Sequence, residues 1–264
     1  MSRIEEAFAR LGNTGEKALV IYLTAGDPTH RDSLAYLKGA AEGGADILEV
    51  GIPFSDPMAD GPTIQAAFLR SLAGGMTARR ALSLVSDFRK THDTPVVVFG
   101  YYNPFLQYGV RQFCRDARSA GADGILAVDL PPEEAGEMEP QAKRAGLDWI
   151  PLVSPTSGSE RIRKASAIGS GFLYLISVTG ITGVRKTLPP QLLRWTKDVK
   201  AQTFLPVAVG FGISHPAMAK AAASHADAAV VGSACVKVVE RYGTSRDGPE
   251  ALRRFVQSLK KAMR

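Results

Sequence analysis

Glu49 stands between Leu48 and Val50 in an otherwise apolar run, and the segment after it carries two more carboxylates, Asp56 and Asp60. An ionised side chain among apolar neighbours is costly to bury, so Glu49 must be paired, held neutral by a raised pKa, or open into a polar cavity. The last two outcomes are what acid/base catalysis requires. The run by itself fits a solvated strand face or a structural ion pair just as well. The following loop favours chemistry. Pro53, Pro57 and Pro62 fix φ at three points while Gly51 and Gly61 supply permissive backbone, so the aspartates sit on a shaped turn. Shaped loops at strand ends tend to carry function.

The elements that must position these residues form a repeating pattern. Short β-branched runs at 18–24, 47–52, 96–101, 124–129, 149–153, 172–178, 207–211 and 228–232 predict eight strands. Stretches at 31–42, 63–73, 77–91, 110–120, 132–145, 159–168, 189–201 and 216–225 read as the helices between them. Several helices end in glycine just before an aspartate that opens the next strand, as at Asp46, Asp123 and Asp148, with Asp227 as a variant. Continuous apolar strands suit a parallel sheet covered by helices. The expectation is a single-domain α/β fold, a (β/α)8 TIM barrel over residues 1–264 with an extra N-terminal helix. That helix places Ile4, Phe8 and Leu11 on one side. A doubly wound open sheet is the competing arrangement, but no GxGxxG follows the first strand.

Composition narrows the function classes. The chain has 264 residues, 45% hydrophobic and 22% charged, with no linker or composition break to divide it. Its net charge of +6 comes from basic residues interspersed with acidic ones, which argues for a solvated surface and against nucleic acid. Cys114 and Cys235 read as small core residues, and four scattered histidines offer no zinc-type spacing, so catalysis without a metal is expected. No apolar run approaches the roughly 20 residues that span a bilayer. A cytoplasmic protein is expected.

The unusual residues gather where the strands end, which in a barrel is the face that carries active sites. They are Asp27, Glu49, Asp60, Tyr101, Tyr102, Asn103 and Asp129. Three glycine-bearing segments follow the last strands: Thr179-Gly-Ile-Thr-Gly183, Gly210-Phe-Gly-Ile-Ser214 and Gly232-Ser-Ala-Cys-Val-Lys237. Glycines let backbone N–H groups approach an anion closely, and a helix N-terminus adds its dipole, so together they predict a phosphate site. Beyond Gly183, residues 184–189 suit either a lid or an ordinary exposed loop.

The segment Leu48-Glu-Val-Gly-Ile-Pro-Phe-Ser-Asp-Pro-Met-Ala-Asp-Gly-Pro-Thr-Ile-Gln65 closely resembles the signature of the tryptophan synthase α-subunit family, with Met58 where leucine is more usual. Thr24-Ala-Gly-Asp-Pro28, Tyr102-Asn-Pro104, Asp129-Leu-Pro131, Ser177-Val-Thr-Gly-Ile-Thr-Gly183 and Gly210-Phe-Gly-Ile-Ser214 follow in that family's order. Phe172 departs from it, standing where tyrosine often occurs.

The resemblance implies cleavage of indole-3-glycerol phosphate to indole and glyceraldehyde 3-phosphate. By residue matching it makes Glu49 the general acid/base and Asp60 the acceptor of the indole N–H. It further implies that Tyr174 and Thr182 help position Glu49, that Tyr22, Phe99 and Phe211 line the indole pocket, and that Gly183, Gly212 and Ser233 hold the phosphate. It also implies a pyridoxal-phosphate-dependent β subunit in an α2β2 assembly, contacted through residues 53–60, 102–105 and 129–132, with no cofactor in this chain. Two other readings remain at this stage. One is a barrel enzyme acting on another sugar phosphate; the other is a non-catalytic regulatory subunit, against which the intact Glu49 and Asp60 argue.

Overall fold

The computed structural model describes residues 1–176, 188 and 190–264. Among these residues the strands are β1 (Ala18–Thr24), β2 (Ile47–Gly51), β3 (Val96–Gly100), β4 (Gly124–Ala127), β5 (Asp148–Trp149), β6 (Leu152–Val153), β7 (Leu173–Ile176), β8 (Val207–Gly210) and β9 (Ala228–Val231). They pair in parallel in the order β5-β4-β3-β2-β1-β9-β8-β7-β6. The two ends of that order are consecutive in the chain. The fifth expected strand, 149–153, is thus two short pieces, one against β4 and one against β7. Pro151 sits at the break and has no N–H for a ladder. Hydrogen bonds continue on either side of it, from Ile150 N–H to the Ile125 carbonyl (3.0 Å) and from Tyr174 N–H to the Pro151 carbonyl (3.0 Å). The ring of a TIM barrel closes through this divided strand.

The helices are α1 (Arg3–Thr14), α2 (His30–Glu42), α3 (Pro62–Ala73), α4 (Ala78–Arg89), α5 (Tyr102–Tyr108), α6 (Val110–Ser119), α7 (Glu139–Arg144), α8 (Ser159–Ile168), α9 (Leu192–Lys200), α10 (Pro216–Ala223), α11 (Ser233–Tyr242) and α12 (Gly248–Met263). The helix expected over 132–145 is a 3-10 turn at Ala135–Glu137 followed by α7. Pro140 lies in the first turn of α7, where its missing N–H costs nothing; further into a helix it would break the ladder. α5 was not among the expected elements. α12 lies so close to α2 that a Cβ on Gly39 would stand 2.5 Å from the Pro249 carbonyl oxygen. Only glycine permits that approach.

α1 closes the N-terminal end of the barrel. Ser2 and Glu5 form a reciprocal capping box, and Ile4 and Leu11 are buried in the cluster that fills the barrel interior. Phe8 packs against Phe172 with ring centroids 5.9 Å apart.

The aspartates that open the strands hold this end together. Asp46 accepts the Leu19 N–H (2.8 Å) and pairs with Lys260 of α12 (2.7 Å). Asp123 accepts the Val96 N–H (2.9 Å) and pairs with Arg89 (2.9 Å) and Arg3 (3.0 Å). Asp227 accepts the Val207 N–H (3.0 Å) and pairs with Lys200 (2.7 Å). Each carboxylate thus satisfies a backbone donor at the start of a neighbouring strand. Asp148 instead accepts the hydroxyl of Ser2, fastening α1. No helix of the described residues is long and apolar enough to cross a membrane.

Replacing Asp123 with alanine leaves the buried Val96 N–H unsatisfied and a largely enclosed Arg89 guanidinium with carbonyl acceptors but no countercharge. Chemical denaturation should register a loss of about 3–5 kcal/mol, and Asp123→Asn should recover part of it by still accepting the N–H.

Candidate active site

Strand alternation decides where Glu49 points. Leu48 and Val50 pack in the layer between sheet and helices, whereas Ile47 joins the interior cluster, so Glu49 faces into the barrel. It is fully buried, and neither carboxyl oxygen has a hydrogen-bond partner among the described residues. The solvated face that the sequence left open is excluded, and among the described residues no ion pair engages Glu49. Burial pushes its pKa from 4.5 up to about 8. A carboxyl with that value carries its proton at neutral pH.

Tyr22 of β1 pairs in register with Glu49, and Tyr174 of β7 pairs with Ala208 of β8. The same device recurs at both. A Cβ on Gly51, two residues beyond Glu49, would fall 2.1 Å from the Tyr22 hydroxyl, and one on Gly210, two beyond Ala208, would fall 2.7 Å from the Tyr174 hydroxyl. Each phenol therefore leans over a glycine of the next strand and lies across the mouth of the barrel. Phe99 completes the aromatic wall, edge-on to Tyr22 at 5.2 Å. Burial, then the neighbouring carboxylates, drive both tyrosine pKa values well above 10, so both hydroxyls stay protonated.

Asp60 sits on the loop that joins β2 to α3. Its Oδ2 accepts the Tyr101 hydroxyl at 2.6 Å, and its carbonyl accepts the Gln65 side-chain amide at 2.8 Å. Burial raises its pKa from 3.8 to about 6, with the Tyr101 hydrogen bond opposing the rise. The two carboxyls therefore occupy different charge states near pH 7, one protonated and one ionised. Asp56, in contrast, is exposed and bound by the adjacent Ser55 hydroxyl, the arrangement of a loop-shaping residue.

The loops after β8 and β9 lie side by side, because those strands pair. Gly212 adopts φ +67°, in the left-handed region that favours glycine. Gly232 precedes α11, whose first residue is Ser233, and a Cβ at Gly232 would stand 3.5 Å from Tyr22. The unpaired N–H groups of a helix start thus adjoin the aromatic wall, which is the arrangement an anion site needs.

Of the residues singled out from the sequence, Glu49, Tyr22, Phe99 and Tyr174 meet in the interior, and Asp60, Gly212, Gly232 and Ser233 stand at its mouth. Phe211 lies apart from them, in the layer between sheet and helices, stacked on Trp195 of α9 at 6.1 Å. Thr182 and Gly183, with most of the segment 184–189, are outside the described residues. Asp27 is committed to a two-point ion pair with Arg70 of α3, at 2.8 Å for each contact, and Asp129 to the Tyr102 N–H at 2.7 Å. Ile64 and Phe68 of α3 also reach the interior cluster. Their four-residue spacing after Pro62 was the available signal for them.

Comparison with known proteins agrees with this architecture. A family model described as Tryptophan synthase alpha chain matches residues 8–264. The tryptophan synthase alpha chain of Geobacter sulfurreducens is 47% identical over 263 residues, covering 100% of this chain and 99% of that one. The crystal structure of tryptophan synthase subunit alpha from Legionella pneumophila superposes with a TM-score of 0.93 at 40% identity, over 100% of this chain and 98% of the other. A chain from the tryptophan synthase complex of Pyrococcus furiosus reaches 0.84 at 37% identity, over 92% and 98%. This chain belongs to the tryptophan synthase alpha chain family.

Proposed function

We propose that this chain, working as one barrel domain in the cytoplasm, cleaves indole-3-glycerol phosphate to indole and glyceraldehyde 3-phosphate, with Glu49 carrying the proton and Asp60 accepting the indole N–H. The observation that carries the assignment is the buried Glu49 carboxyl, without a hydrogen-bond partner among the described residues and with its pKa raised to about 8.

The bond from indole C3 to the side chain breaks only when C3 becomes a competent leaving group. Protonated Glu49 delivers a proton to C3, which places positive charge on the ring nitrogen. Loss of the adjacent hydroxyl proton then forms the aldehyde, and the electrons of the breaking carbon–carbon bond restore the aromatic ring. Glu49, ionised by its first transfer, collects that hydroxyl proton and is regenerated. Asp60, ionised above pH 6, bonds the ring N–H more strongly as the positive charge develops. Tyr22 and Phe99 form the apolar wall for the ring. Gly212, Gly232 and Ser233 receive the phosphate through backbone donors, together with Gly183, and Tyr174 and Thr182 orient Glu49. Phe211 closes the ring site only if it turns from its contact with Trp195.

Indole is small and apolar and would diffuse away from an enzyme working by itself. The reading therefore includes a β subunit that receives it in an α2β2 assembly and holds the pyridoxal phosphate, this chain holding no cofactor. Residues 53–60, 102–105 and 129–132 form the contact face. Met58 (95% exposed) and Leu106 (48%) support this choice, as large apolar side chains open to solvent on that side.

The purified chain incubated with indole-3-glycerol phosphate should release indole, faster when a β subunit is added; no indole under either condition overturns the proposal. Glu49→Gln should lower kcat roughly 10²–10⁴-fold with a much smaller change in KM. The profile of kcat/KM against pH should be bell-shaped, with limbs near 6 and 8 as Asp60 ionises and Glu49 loses its proton. The same Glu49 pKa makes a stability prediction. Below about 4.5 both folded and unfolded chains hold the proton and burial carries no penalty; the penalty grows as pH rises and is complete above about 8. Thermal melts should therefore show Glu49→Gln gaining on the parent protein from pH 5 to pH 8.

A further inference from the structure

Tyr101 follows the last residue of β3 and is almost fully buried, its ring against Phe54 at 5.2 Å. Its backbone is pinned on both sides. The Gly100 carbonyl accepts the Val128 N–H at 2.9 Å, and the Tyr102 N–H is held by Asp129 at 2.7 Å. At the other end of the ring, the hydroxyl accepts the Ala59 N–H at 3.0 Å and donates its only hydrogen to Asp60 Oδ2 at 2.6 Å. Acceptor and donor are both engaged, and they engage consecutive residues of one loop, so the hydroxyl has a single orientation. Among the described residues, the carboxyl of Asp60 is tied to the barrel wall through this phenol alone, and no group engages its Oδ1.

From this geometry we propose that Tyr101 is the positioning residue for Asp60. A rigid strand end holds one carboxylate oxygen so that the other is presented, at a fixed angle, to a ring N–H. The inference rests on the role assigned to Asp60 above. It differs from loop support in one respect, since the phenol donates to the ionised carboxylate and therefore favours that form over the neutral one. Burial and the Asp60 carboxylate keep the phenol protonated throughout the working pH range, so the donor is always present.

The test compares the parent protein, Tyr101→Phe, Asp60→Asn and the double variant, each assembled with a β subunit and assayed for indole release. Tyr101→Phe should lower kcat on the order of 10-fold with little change in KM and move the acidic limb of the kcat/KM profile to higher pH. Asp60→Asn should be slower still, and the double variant should be no slower than Asp60→Asn, because the hydroxyl acts only through that carboxylate. An unmoved acidic limb, or losses that add in full, would overturn the role of Tyr101. Full activity in Asp60→Asn would overturn the assignment of Asp60 and the inference with it. A fluorotyrosine placed at 101 gives a second, non-disruptive reading: its more acidic phenol is a stronger donor and should move the limb to lower pH, and an unmoved limb there contradicts the proposal whether or not Tyr101→Phe folds.

Discussion

A carboxyl group enclosed with no hydrogen-bond partner among the described residues is the constraint around which this barrel is arranged. Placing Glu49 in the interior works against folding at neutral pH, and the group answers by keeping its proton. The wall that encloses it must then be stable without help from that position. A parallel sheet covered by helices, in which both faces of every strand are buried, provides such a wall. Gly51 and Gly210 complete the enclosure by yielding space to Tyr22 and Tyr174, whose rings shield the acid from bulk water while leaving a mouth.

The contrast between the two carboxyls follows from their partners. Both lose solvent, and burial raises both pKa values, but only Asp60 gains a donor to its ionised form. The division of labour thus reflects three differences together: Asp60 starts from a lower value, is less enclosed than Glu49, and has a tyrosine donor beside it.

Much of this arrangement can be read from the residues. The alternation of β-branched strands and helices, the glycines before strands and the glycine-bearing loops at the end of the chain all carry physical signals. The orientation of Glu49 was not legible, because Leu48 and Val50 are apolar whichever face they occupy. Parity explains Phe211 as well, since Ala208 and Gly210 take the inward positions of β8 and leave Phe211 with the outer layer. The division of the fifth strand depends on a proline whose effect appears only when its neighbours on both sides are known. The bond between Tyr101 and Asp60 joins residues far apart in sequence, and nothing local announces it. The aspartates before the strands were visible as punctuation, yet their work as acceptors for neighbouring strands required the assembled ring.

That work has a consequence for how such a protein can change. Asp46, Asp123 and Asp227 anchor strands at the end remote from the chemistry, each also paired with a cation. A slip of one residue between strands would turn Glu49 out of the interior and into the helix layer. Because the foot of the barrel resists that slip, the loops at its mouth are free to lengthen, shorten or exchange residues over generations without disturbing the acid. The conserving and the innovating parts of the molecule are thereby kept at opposite ends.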